Sequence, residues 1–81
     1  MVPVAAGSEK ERRLLQMRVL LQNGETGMFY IREGEWDSDV KRALNFRTAR
    51  AAAEMAYRLW VPKARVYYAF PDPSRNYSDV V

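Results

Sequence analysis

The sequence predicts an α+β fold: a two-layer β-β-α-β sandwich with a three-stranded antiparallel sheet packed on one main helix. Three observations carry that expectation. Two short β-prone runs flank a glycine-containing loop, an alanine-rich stretch at helical spacing follows, and a third β-prone run ends in prolines. Eighty-one residues make one small domain, able to bury roughly 60–65% of its unfolded surface, so a few large side chains decide whether it folds.

The elements follow in order. Residues 1–16 read as a flexible leader with a short helical turn, since Ser8 and Glu11 fit a capping box. Residues 17–70 form the single domain. Met17–Gln22 and Met28–Arg32 are the first two strands. Between them Asn23-Gly24-Glu25-Thr26-Gly27 reads as a five-residue hairpin loop, with Gly27 at positive φ. Asp37 or Asp39 caps a short helix through Val40–Leu44. Thr48 then caps the main helix, Thr48–Trp60, whose Ala49, Ala52, Ala53, Ala56, Leu59 and Trp60 recur at helical spacing. Pro62 halts it. Arg65–Phe70 is the third strand, and Pro71 and Pro73 end it. A right-handed crossover places this strand beside the first, giving the order 2-1-3. Residues 71–81 read as a mobile tail. Its Asp-Val-Val end is too short a signal to make it a ligand for a sheet edge.

Alternation assigns the faces. Val19, Leu21, Phe29, Ile31, Val66, Tyr68 and Phe70 form the more apolar set and are expected to meet the helix. The helix alanines allow close approach while the sheet supplies bulk. Trp36 reads as a plug over one end of the core, joined by Ala43 and Phe46, and Trp60 as the closure of the other end.

The opposite face carries the functional reading. Arg18, Leu20, Met28, Tyr30, Arg32, Arg65 and Tyr67 share it, with Gln22 and Ala69 and no acidic residue. An open face of this kind suits association, either with a second copy or with another protein. The alternative is single-stranded nucleic acid, with Tyr30 and Tyr67 stacking bases while arginines meet phosphates. A bland reading also stands: arginine stems shield the tyrosines, or Leu14 and Leu15 of the leader fold over the face.

Other chemistry finds little support. The chain has no histidine and no cysteine, which excludes triads, thiolate nucleophiles and disulfides. Glycines are scattered, with neither a dinucleotide nor a P-loop spacing. Glu33, Glu35, Asp37 and Asp39 lack the spacing of a calcium loop and read as local caps. The expectation is therefore a non-enzymatic interaction module without cofactor or metal. The net charge of +3 is too mild for a polybasic nucleic-acid binder. The start lacks the pattern of a secretory signal, and no run reaches membrane-spanning length, so a cytoplasmic location is expected.

LLQNGETGMFYI, GEW, the Ala43…Phe46 pair and the alanine-rich helix before RVYYAF together resemble small uncharacterised bacterial domains of hypothetical proteins. The resemblance runs from about Arg18 to Phe70. It implies a small α+β fold and carries no catalytic residue.

Overall fold

The computed structural model describes residues 16–81. Five strands form one antiparallel sheet: β1 (Arg18–Gln22), β2 (Phe29–Arg32), β3 (Glu35–Asp37), β4 (Arg65–Ala69) and β5 (Tyr77–Val80). Their order is β3-β2-β1-β4-β5, and helix α1 (Ala49–Leu59) packs on β1 and β4. The α+β class, the β2-β1-β4 centre and the single main helix agree with expectation. The leader's capping box and the cover by Leu14 and Leu15 lie outside the described residues.

The sheet has five strands where three were expected. The stretch after β2 turns back at Gly34, whose φ of +80° is the left-handed conformation that glycine adopts without a Cβ clash. Glu35–Asp37 then pairs with β2 as an edge strand. The expected helix over Val40–Leu44 is a single 3-10 turn, Val40–Arg42, capped by Asp39, whose carboxylate accepts the Lys41 N–H at 2.9 Å. At the other end Asp72 caps a second 3-10 turn, Pro73–Arg75. Asn76 Oδ1 accepts the Phe70 N–H at 2.7 Å, and β5 returns along Arg65–Tyr68 of β4. The segment expected to be a mobile tail thus supplies a strand.

Helix α1 begins where the sequence places it. Thr48 is the N-cap, its hydroxyl accepting the Ala51 N–H at 3.1 Å, and Ala52 and Ala56 are buried against the sheet. It ends at Trp60, in the left-handed conformation (φ 55°) more usual for glycine at a helix end.

Two apolar clusters lie on opposite sides of the sheet. The helix side gathers Val19, Leu21, Tyr30, Val66, Ala52 and Ala56, with Trp36, Phe46 and Tyr68 packed against them. The far side gathers Leu20, Phe29, Ile31, Ala43 and Ala69, with Val40 and Tyr67. The faces of β1 and β4 are as expected, but β2 is inverted. Phe29 pairs with Gln22, while Asn23 and Met28 close the loop through the Asn23 N–H to Met28 O bond at 2.9 Å. Four residues therefore span the turn, not five. A one-residue difference in loop length moves every side chain of the strand to the other face. Tyr30 is consequently core.

The connection into α1 passes through the sheet. β1 and β2 pair only at Gln22–Phe29, and beyond that point residues 44–46 lie between them. The Leu44 N–H donates to Tyr30 O at 3.0 Å, and the Phe46 N–H to Val19 O at 2.7 Å. Asn45 Oδ1 accepts the Val19 N–H at 2.9 Å. Ala43 thus sits in the far cluster and Phe46 on the helix side, rather than together in one cluster.

Candidate functional site

The seven residues expected on one binding face do not form one surface. Leu20 is fully buried, and Tyr30 is 6% exposed, edge-on to Trp36 with ring centroids 5.5 Å apart. Arg18 fastens the first 3-10 turn: its guanidinium donates to Val40 O at 3.0 Å and also to Ala43 O. Arg32 is exposed and pairs with Glu35 at 3.0 Å. Arg65 donates to Ser78 Oγ at 2.8 Å and to Ser78 O at 3.2 Å. Tyr67 packs edge-on to Phe29 at 4.9 Å, and its hydroxyl accepts from Asn76 Nδ2 at 3.4 Å. Met28 is exposed in the hairpin region. The three arginines are engaged within the chain.

The two edges of the sheet differ in chemistry. β3 is only three residues long and carries charge: Arg42 binds both Glu35 and Asp37, and Arg32 also reaches Glu35. A backbone N–H from Asp39 and the Arg42 guanidinium hold the Asp37 carboxyl below its ordinary range, and the same pairing raises Arg42. Short length and dense charge protect an edge from pairing.

β5 carries less charge: of its four residues only Asp79 is acidic. The Val81 N–H donates to Ala64 O at 3.1 Å, which fixes the phase of the β4–β5 ladder. Residues 77 and 79 then exchange bonds with β4, and residues 78 and 80 turn their N–H and C=O groups outward. Of these, Ser78 O already receives one bond, from Arg65.

Beside this edge lies a groove of about 610 Å³ between α1 and the end of β5, bounded by Ala56, Tyr57, Trp60, Lys63, Ala64 and Val81 among others. Tyr57 is 73% exposed and Trp60 88%. Both line the groove, Tyr57 from the last turn of α1 and Trp60 as the left-handed residue that caps it. A shallower hollow of about 390 Å³ continues along α1 past Ala49 and Ala53 to Asp79. The small alanines leave room there. Within it, burial first and then the nearby Tyr77 and Asp79 charges push the Tyr68 phenol up.

The loop after α1 has a fixed geometry. The Val61 N–H returns to Ala56 O at 3.1 Å, Lys63 is also left-handed (φ 48°), and the Gly24 N–H donates to Pro62 O at 3.2 Å. Trp60 therefore stands out from a held turn instead of closing the core. Its place at the helix end, before Val61-Pro62, was visible in the sequence; its backbone conformation was not.

Among the described residues, no group of three or more acidic side chains is placed to hold a metal ion, and no helix is long and apolar enough to cross a membrane. No family model, curated protein or solved structure matches the chain. The resemblance noted from the sequence accordingly supplies no residue with a role.

Proposed function

We propose that the protein is a non-enzymatic self-associating module, and that its docking surface is the α1–β5 groove rather than the arginine–tyrosine face of the sheet. The observation that carries this reading is an exposed tryptophan beside the less charged of the two strand edges. Trp60 and Tyr57, both largely exposed, leave a large apolar area in water, and aromatic anchors of this kind dominate protein interfaces. A small domain with a thin core also gains stability by burying such a patch against a copy of itself.

Light scattering over a concentration series tests the reading, with a salt titration against single-stranded RNA beside it. The expected result is a particle of twice 9.4 kDa that ignores RNA. A monomer of 9.4 kDa at every concentration overturns it. A monomer that binds RNA with a steep salt dependence favours the nucleic-acid alternative.

A further inference from the structure

Independently of the self-association reading, we infer that Asn23-Gly24 is a site of spontaneous covalent modification, and that the contact between the hairpin loop and the turn after α1 keeps it closed in the folded chain. Asn-Gly is the dipeptide best suited to deamidation, because no side chain shields the glycine nitrogen. Asn45 and Asn76 are instead followed by the bulky Phe46 and Tyr77. In the reaction the Gly24 nitrogen bonds to the side-chain carbonyl carbon of Asn23 and gives up its proton, and the side-chain nitrogen leaves as ammonia. Water then opens the cyclic imide. Opening at one carbonyl gives aspartate; opening at the other gives isoaspartate, in which the main chain runs through the former side chain. No oxidant or reductant takes part.

The fold uses both residues and restrains both. Gly24 has no room for a Cβ, which would fall 2.1 Å from the Lys63 carbonyl oxygen. Asn23 Oδ1 accepts the Glu25 N–H at 2.8 Å and the Thr26 N–H at 3.2 Å, while its main chain bonds Met28 O and the Gly27 N–H. Residues 24–28 are exposed, so burial does not keep water from the loop. Hydrogen bonds hold it instead. The Gly24 N–H donates to Pro62 O at 3.2 Å, and attack requires that nitrogen to turn from Pro62 toward Asn23. The Asn23 side chain must also leave the two N–H groups it accepts. The reaction therefore proceeds from a locally opened loop. Its products differ in consequence. Aspartate keeps a side-chain oxygen where Asn23 Oδ1 accepts. Isoaspartate adds a methylene to the main chain of a loop closed at Asn23, Gly27 and Met28, and so loses the fit against residues 60–63.

Peptide mapping by mass spectrometry, after incubation at mildly alkaline pH, follows the conversion of Asn23. The expected rate in native buffer is at least about tenfold below that of the same protein in urea, because only the open fraction reacts. Pro62→Gly loosens the turn that supplies the acceptor and leaves Asn-Gly intact. It is expected to raise the native rate severalfold with the circular dichroism spectrum retained, and to speed hydrogen exchange at the Gly24 amide. A native rate equal to that in urea, or one that a folded Pro62→Gly protein leaves unchanged, overturns the gate. Absence of conversion in urea overturns the site. After refolding, the isoaspartyl fraction is expected to unfold at lower urea than Asn23→Asp, which carries the same added charge. Equal midpoints overturn the effect on the loop.

Discussion

Asn45 Oδ1 accepts the backbone N–H of Val19 at 2.9 Å, in the gap where β2 has turned away from β1. The same oxygen accepts the Arg47 N–H at 2.9 Å, so one side chain replaces a missing strand partner and also shapes the approach to α1. Asn45→Ala leaves the buried Val19 N–H without its acceptor. The expected loss is about 1–3 kcal/mol in urea unfolding, with no change in helix content of the native state. An unaffected midpoint contradicts the role given to this contact.

Tyr30 and Tyr67 separate the two readings of the sheet faces. Tyr30 is enclosed by Trp36 and Phe46 on the helix side, so Tyr30→Ala empties core volume and is expected to cost about 3–5 kcal/mol. Tyr67→Phe keeps the edge contact with Phe29 and loses only the long bond from Asn76, a change of about 1 kcal/mol or less. Denaturant midpoints of the two variants measure the difference directly. A folded, unperturbed Tyr30→Ala protein is incompatible with the inverted β2.

Gly24 is needed for closeness. A Cβ built there falls 2.1 Å from the Lys63 carbonyl oxygen, a backbone atom that has no flexible side chain to yield. Gly24→Ala should force the hairpin loop off the 60–63 turn and destabilise the fold by about 1–3 kcal/mol, read as a lowered thermal midpoint. At Gly27, where no atom lies within reach, the same substitution is opposed only by its φ of +80°.

Asp37 gives the β3 edge a pH dependence. Its folded pKa lies below the ordinary 3.8, so its contribution to stability is present above that value and fades as pH falls through the lower folded one. Asp37→Asn should therefore remove part of the acid sensitivity below about pH 4 while leaving the neutral-pH slope unchanged. Urea midpoints of both proteins from about pH 2 to pH 6 supply the comparison. Identical acid slopes contradict the assignment.

Much of the fold is legible in the residues. The β runs around residues 18–22, 29–32 and 65–69, the Thr48 cap and the alanine stripe all specify local structure that the tertiary contacts reinforce. What is hidden is instructive. β3 and β5 are short and polar, and they form because a neighbouring strand offers an edge. Their turn signals, Glu33-Gly34 and Asp72-Pro73, are present, but the hydrophobic pattern beside them is weak. The face of β2 hangs on whether four or five residues make the loop, which composition does not distinguish. The passage of residues 44–46 between β1 and β2 has no local signature. The candidate site was missed because Trp60 fits the helical stripe; only its left-handed backbone turns it outward.

Trp60→Gly separates association from folding. Glycine relieves the left-handed strain at the helix end and is expected to stabilise the monomer by up to about 1 kcal/mol, while removing the largest exposed anchor of the groove. Light scattering of wild type and Trp60→Gly side by side is the most direct measurement. The prediction is a wild-type mass of twice 9.4 kDa and a variant mass of 9.4 kDa with the fold retained. A monomeric wild type, or a variant that dimerises as well as the wild type, contradicts self-association through the α1–β5 groove.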